Sequence, residues 1–208
     1  MKIGIFGGSF NPPHKMHKNI ALSLIKAGYL DKVIYVPTGD EYNKCDLVSA
    51  IDRYNMVNLM INGFSNLAVS DYELKSTLTY TYQTLDYFKC LYPDDEFYFI
   101  CGTDNLKMIQ TWMNYRYILN NYKLLVINRD NDDILEIING LNSDNIIVAN
   151  IDLSDVSSTM IRNMICNNAM KKHLLDVIDA SVLKYIETNK LYGVKDNEKN
   201  CKVIRKKQ

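Results

Sequence analysis

Apolar residues fall along this chain in two rhythms. Short unbroken runs rich in β-branched and aromatic side chains recur at 2 to 6 (KIGIF), 32 to 37 (KVIYVP), 66 to 70 (NLAVS), 96 to 101 (EFYFIC), 122 to 128 (YKLLVIN) and 145 to 150 (NIIVAN). A strand with one wet face alternates, whereas a strand covered on both faces reads as a continuous apolar run, so these runs predict a parallel sheet. Between them the rhythm lengthens. Residues 14 to 27 carry Ile20, Ala21, Leu24 and Ile25 on one side and stop at Gly28. Residues 49 to 62 open at Ser49, place Ala50, Tyr54, Val57 and Ile61 on one stripe and stop at Gly63. A third segment, from about Thr79 to Leu91, presents Leu85 and Phe88 ahead of Pro93. Both spacing and punctuation predict helices.

Strand, helix, strand, repeated, implies right-handed crossovers and a doubly wound, Rossmann-like α/β fold, which binds ligands at the carboxyl ends of its strands. After Asn150 the pattern changes: helical segments at Ser158 to Cys166 and Ser181 to Thr188 follow with no strand between them. The expectation is one domain over 1–193, with a small helical C-terminal extension from about 151. A basic tail over 194–208 follows, in which residues 195 to 208 hold six Lys/Arg against two Asp/Glu and show no apolar face.

Composition narrows the function classes. Lys+Arg and Asp+Glu both number 24, so no global field draws the chain onto nucleic acid or an anionic membrane, and any anion must be gripped locally. The five cysteines, Cys45, Cys90, Cys101, Cys166 and Cys201, form no C-x-x-C pair and are odd in number, which argues against a disulfide framework. No segment approaches eighteen consecutive apolar residues. The expectation is a cytosolic protein, compatible with a homo-oligomer.

The first strand runs into Gly7-Gly8-Ser9-Phe10-Asn11-Pro12-Pro13-His14-Lys15-Met16-His17. A glycine-rich turn between a strand and a helix gathers backbone N–H groups and the positive end of a helix dipole at one point, which suits phosphate. The spacing is neither G-x-G-x-x-G nor a P-loop. Proline is tolerated in a helix's first turn, so the helix is expected to start near Pro13, with His14 and His17 on one face. Zinc would need a third ligand, and the only other histidine, His173, has no motif around it. The pair serves either capping and packing or hydrogen bonding to phosphate oxygens. Ser157, Ser158 and Thr159 are N-cap types opening a helix, and Arg162 lies one turn on with a fork for two oxygens.

These segments resemble motifs of one family. GGSFNPPHKMH is similar to the H-x-G-H signature of the nucleotidyltransferase superfamily, in particular nicotinate-nucleotide adenylyltransferases, with Met16 in place of the glycine. VSSTMIR (156 to 162) resembles I-S-S-T-x-x-R, FICGTDNL (99 to 106) resembles F-I-x-G-x-D-x-L, and TYTYQTL (79 to 85) resembles S-Y-T-x-x-T-L. The resemblance spans about residues 2 to 193 in order. It implies that Gly7, Gly8, Ser9, Phe10, Gly102, Asp104, Ser157, Ser158 and Thr159 bind ATP, with Gly102 at the strand end and Asp104 on the ribose. It implies that backbone N–H groups at Tyr80 and Thr81 hold the pyridine carboxylate and that Trp112 stacks on the pyridine ring. Where the family shows P-P-H-K, this chain has PTGDEYNK (37 to 44), leaving Lys44 to replace the missing lysine.

The implied reaction is adenylyl transfer from ATP to nicotinate mononucleotide, with His14, His17, Lys44 and Arg162 stabilising phosphate charge. Mg²⁺ would be carried in with ATP, and no dedicated metal cage is visible. No protein nucleophile is visible either: the sequence holds no G-x-S-x-G. Two rivals stand: a related transferase using nicotinamide mononucleotide or another phosphorylated acceptor, and a nucleotide-binding regulator without turnover.

Overall fold

In the computed structural model, which describes residues 1–41, 47–75, 79–128, 134–151 and 156–194, the six apolar runs pair into one sheet. Its strands are β1 (Lys2–Gly8), β2 (Lys32–Pro37), β3 (Leu67–Val69), β4 (Glu96–Gly102), β5 (Lys123–Ile127) and β6 (Ile146–Ala149). They lie in the order β3-β2-β1-β4-β5-β6, every neighbouring pair parallel. Continuous burial explains the runs. Ile3, Ile5, Val33, Tyr35, Val36, Leu124, Leu125 and Val126 are almost wholly excluded from water, so neither sheet face tolerates alternation.

Helices cover both faces. Packed on one side are α1 (Lys15–Lys26) and α2 (Ala50–Ile61), together with α7 (Ser158–Cys166), α8 (Lys171–Val177) and α9 (Ala180–Thr188). The other side carries α3 (Thr81–Leu91), α4 (Thr103–Met108), α5 (Tyr115–Asn121) and α6 (Ile134–Leu141). The chain leaves β1 toward β2 on one side and later returns to place β4 on the other. The order therefore reverses between β1 and β4, and a crevice opens at their carboxyl ends, the place where such sheets bind ligands.

The structure departs from the sequence reading at several boundaries. α1 begins at Lys15, not near Pro13, because His14 is extended (φ −144°, ψ 169°) and serves as the N-cap. α3 begins at Thr81, two residues late, with Tyr80 as its N-cap. On α2 the buried stripe is Ala50, Arg53, Met56, Val57, Met60 and Ile61, while Tyr54 is only half-buried. The extension holds a further helix, α8, whose seven residues bury only Leu174 and so leave no readable period. Residues 195 to 208 and Lys44 lie outside the described residues. Among the described residues no helix is long and apolar enough to cross a membrane.

Candidate active site

β1 delivers Gly7 and Gly8 to the crevice, and the chain then folds back on itself. Phe10 adopts φ 46°, a left-handed value rare for a residue with a side chain. Its ring is buried and stands edge-on to Phe6, Tyr35 and His17, with centroids 5.8, 5.6 and 5.0 Å away. A Cβ on Gly8 would lie 3.2 Å from that ring, so glycine permits the reversal. The histidines sit directly after it. His14 is only 3% exposed and lies against His17, ring centroids 3.7 Å apart. The backbone N–H of His14 donates to Nδ1 of His17 at 3.2 Å. A ring whose Nδ1 accepts carries its neutral-state proton on Nε2, so His17 is set as an Nε2–H donor. The hydroxyl of Tyr35 donates to the His17 carbonyl at 3.0 Å, tying α1 to β2.

α7 docks on the same loop from the far end of the chain. Ser157 is its N-cap, its hydroxyl accepting from Met160 N–H at 3.2 Å. Ser158 Oγ donates to the Pro12 carbonyl at 2.9 Å. Arg162 donates through Nη1 to the Asn11 carbonyl at 2.8 Å and through Nη2 to Thr159 Oγ1 at 3.2 Å. Asn11 is itself buried, and its Oδ1 accepts from Val48 N–H at 3.3 Å and from the Tyr192 hydroxyl at 2.8 Å. The glycine loop, the entry to α2 and the C-terminal helices thus meet at one asparagine.

A cavity of about 490 Å³ fills the crevice. Its wall brings together Gly7, Gly8, Ser9, Phe10, His17, Gly102, Asp104 and Ser158 with Tyr80, Thr81 and Trp112. Gly102 is the N-cap of α4 and Asp104 stands exposed in its first turn. Trp112 is half-buried, edge-on to Phe99 at 5.7 Å. Four expected residues stay out of the wall: His14 lies behind His17, Ser157 caps α7, and Thr159 and Arg162 hold each other beside Asn11. The Tyr80 N–H expected to meet a carboxylate donates instead to Gln83 Oε1 at 2.9 Å.

The wall residues that sequence reasoning missed include Thr38, Glu73 and Thr84, and it missed the buried Arg53 behind them. Thr84 Oγ1 donates to Glu73 Oε1 at 2.7 Å. Burial pushes the Glu73 carboxyl up to about 7, against the opposing effects of that hydrogen bond and of the Arg53 charge. Arg53 did leave a signal: it sits at i+3 from Ala50, inside an apolar stripe, where a charge implies internal partners. Burial also pushes the Cys101 thiol in the wall up to about 12, so it is no nucleophile at neutral pH. Among the described residues no cluster of three or more His, Cys, Asp or Glu is placed to hold a metal ion.

Comparison with known proteins fits this geometry. A family model described as cytidylyltransferase-like matches residues 5–164. A probable nicotinate-nucleotide adenylyltransferase of Clostridium acetobutylicum is 36% identical over 200 residues, covering 92% of this chain and 98% of that protein. The chain belongs to the nicotinate-nucleotide adenylyltransferase family. A second probable nicotinate-nucleotide adenylyltransferase, from Fusobacterium nucleatum, is 37% identical over 191 residues, covering 90% of this chain and 97% of that protein. Among solved structures, the Plasmodium falciparum nicotinic acid mononucleotide adenylyltransferase complexed with NaAD superposes with a TM-score of 0.81 at 25% identity. That match covers 93% of this chain and 98% of the other. Within the nicotinate-nucleotide adenylyltransferase family, this chain carries Met16, buried in α1, between its two histidines.

Proposed function

We propose that the chain transfers the AMP moiety of ATP to nicotinate mononucleotide, giving deamido-NAD and pyrophosphate in NAD biosynthesis. One observation carries the reading. The glycine loop with His17 and the first turn of α7 share a single cavity wall with Tyr80, Thr81 and Trp112, so one space serves a triphosphate and an acceptor ring together.

The chemistry follows from charge. The acceptor's 5′-phosphate oxygen attacks the α-phosphorus of ATP in line, the α–β phosphoanhydride bond breaks, and pyrophosphate leaves with the electron pair. The nucleophile is already anionic at neutral pH, so no base is needed, and the protein positions the partners and stabilises equatorial charge. In this reading the amides of Gly7, Gly8 and Ser9 and the positive end of α1 cradle the phosphates. His17 donates from Nε2 to the α-phosphate, and His14 holds that ring at its angle. Ser158 faces the departing pyrophosphate, Arg162 adds its positive charge from behind the wall, where it holds the Asn11 carbonyl, and Ser157 and Thr159 shape the turn that carries them. Lys44, outside the described residues, is assigned to the same charge. Mg²⁺ carried in with ATP would be held by the nucleotide's own phosphates rather than by a cluster of side chains among the described residues, and would offset the charge of the departing pyrophosphate. Asp104 takes the ATP ribose beside Gly102, while Tyr80, Thr81 and Trp112 take the acceptor.

Tyr80's engaged N–H favours testing acceptors side by side. Pyrophosphate release is measured with ATP and nicotinate mononucleotide, nicotinamide mononucleotide or phosphopantetheine. The expected order puts nicotinate mononucleotide first by kcat/KM. No release with it, alongside release with another acceptor, reassigns the substrate. ATP binding without release from any acceptor supports a regulator.

A further inference from the structure

The mechanism above uses neither Arg53 nor Glu73, yet both are held beside the cavity with unusual care. The Arg53 side chain is completely buried. Its Nε donates to the Val48 carbonyl at 3.0 Å, Nη1 to the Ser9 carbonyl at 3.0 Å and Thr38 Oγ1 at 3.2 Å, and Nη2 to the Gly39 carbonyl at 3.4 Å and Asp40 Oδ1 at 3.3 Å. Four of these five acceptors are neutral. The fifth, Asp40, has a side chain 63% exposed, and a solvated carboxylate at such a distance neutralises a buried charge poorly. A guanidinium remains charged at any physiological pH, so its positive field extends through Ser9 and Thr38 into the cavity they line.

Asp104 of α4 and His17 of α1 line the same cavity, and Glu73 is the carboxyl there on which the Arg53 charge acts. It lines the cavity, with Oε1 held by the Thr84 hydroxyl. Its main chain touches the strap that Arg53 grips, since a Cβ on Gly39 would lie 2.6 Å from the Glu73 carbonyl oxygen. Around it, α2 contributes the Arg53 charge and α3 the Thr84 hydroxyl, while the strap after β2 carries Asp40, already bound to Arg53. On α3, Asp86 accepts from Tyr117 and Tyr122. On its own segment Asp71 pairs with Lys75 at 2.6 Å, and the Tyr72 ring stacks on Tyr87. Two anions, an ionised Glu73 and an incoming anionic acceptor, therefore compete for one buried cation. The carboxyl, pushed up to about 7 by burial, is poised to yield by taking a proton.

Resting on the acceptor assignment above, we propose that Glu73 determines acceptor binding through proton linkage: the anionic acceptor enters the Arg53 field with Glu73 neutral, so binding takes up one proton. The proton comes from solvent onto the carboxyl and no covalent bond to substrate changes. Ser9 brings the ATP cradle within the same field, but Glu73 is bonded to Thr84 on α3, the helix that opens with the acceptor residues Tyr80 and Thr81, so the linkage falls on the acceptor rather than on ATP. The device favours an acceptor bearing negative charge, and it weakens acceptor binding as pH rises.

The test measures KM for nicotinate mononucleotide from pH 6 to 8.5 in the wild type and in Glu73→Gln, with KM for ATP alongside. The acceptor's own phosphate titrates near pH 6, and the ratio of the two proteins' KM values cancels it. Linkage makes the wild-type-to-variant ratio climb about tenfold between pH 7 and 8.5, while the corresponding ratio for ATP stays level. A ratio for the acceptor that does not change with pH overturns the proposal. Calorimetry on the wild type alone, in two buffers of different ionisation enthalpy at pH 8, covers the case of a variant that does not fold. Uptake of close to one proton per acceptor bound is expected, and zero uptake overturns the proposal. Absence of turnover with nicotinate mononucleotide in the wild type would instead remove the acceptor assignment, a result distinct from a turning-over enzyme with a flat ratio.

Discussion

A single hydrogen bond decides what His17 can do. With Nδ1 accepting from the His14 N–H, the neutral imidazole presents Nε2–H, and a preorganised donor to developing charge is worth most in a site that excludes water. His17→Ala should lower kcat by about 10²-fold or more, with a smaller change in KM for ATP; steady-state kinetics with ATP varied at saturating acceptor check this. Glu73 makes an independent prediction about stability. Its folded-state value, about 7, lies above the ordinary 4.5, so the folded protein holds this proton more tightly than the unfolded chain. The stabilisation is complete below pH 4.5 and is lost as pH rises toward 7. Glu73→Gln lacks that loss, so its melting temperature relative to wild type should rise by a few degrees between pH 4.5 and 7 and level off above. Paired thermal melts across that range check it. The histidine pair was legible in the sequence because its neighbours are so unusual. For Arg53 only its place in an apolar stripe was legible and not its partners, since its five acceptors are supplied by segments brought together only by folding.

At the scale of elements, the first turn of α7 divides its labour between adjacent hydroxyls. Ser157 caps the helix through Met160 N–H, whereas Ser158 lines the cavity and bonds the Pro12 carbonyl. Ser157→Ala should cost about 1 kcal/mol of stability, the ordinary loss of an N-cap, and leave kcat/KM near wild type. Ser158→Ala should act the other way, with a smaller change in melting temperature and a clear fall in kcat/KM for ATP. Melting curves and kinetics on the two variants separate capping from substrate contact. The sequence located α7 to the residue because polar capping types precede a clear apolar period. Helices α4, α5 and α8, of 6, 7 and 7 residues, escaped notice because two turns give the period no room to repeat. The strands were plain for the opposite reason: burial on both faces leaves an apolar run that no helix of that length would show. Which strand lies beside which was not readable, since the β1–β4 pairing that opens the crevice joins residues nearly a hundred positions apart.

Across the whole molecule, the C-terminal extension closes a circuit back to the first loop. After α9 the chain turns through left-handed conformations at Lys190, Tyr192 and Gly193 (φ 52°, 58° and 74°). That hairpin carries the Tyr192 hydroxyl to Asn11, 181 residues earlier, while the Tyr192 carbonyl accepts from Cys166 Sγ on α7. Two non-glycine residues held left-handed in succession around Leu191 persist only where surrounding contacts outweigh the strain. The contacts here are those that hold the glycine loop. The extension is thus part of the site's scaffold. A chain ending at Val194 should melt within about 2 °C of the full chain and keep its turnover. A chain ending at Asn189 loses the Tyr192 bond and the packing of Leu191 and Tyr192 on the core. That loss amounts to about 3–5 kcal/mol, or roughly 10 °C in melting temperature. Because the released residue is Asn11, its KM for ATP should rise with the melting temperature's fall. A shortened chain that melts low but binds ATP as before would separate the hairpin from the glycine loop and confine the extension to a structural role.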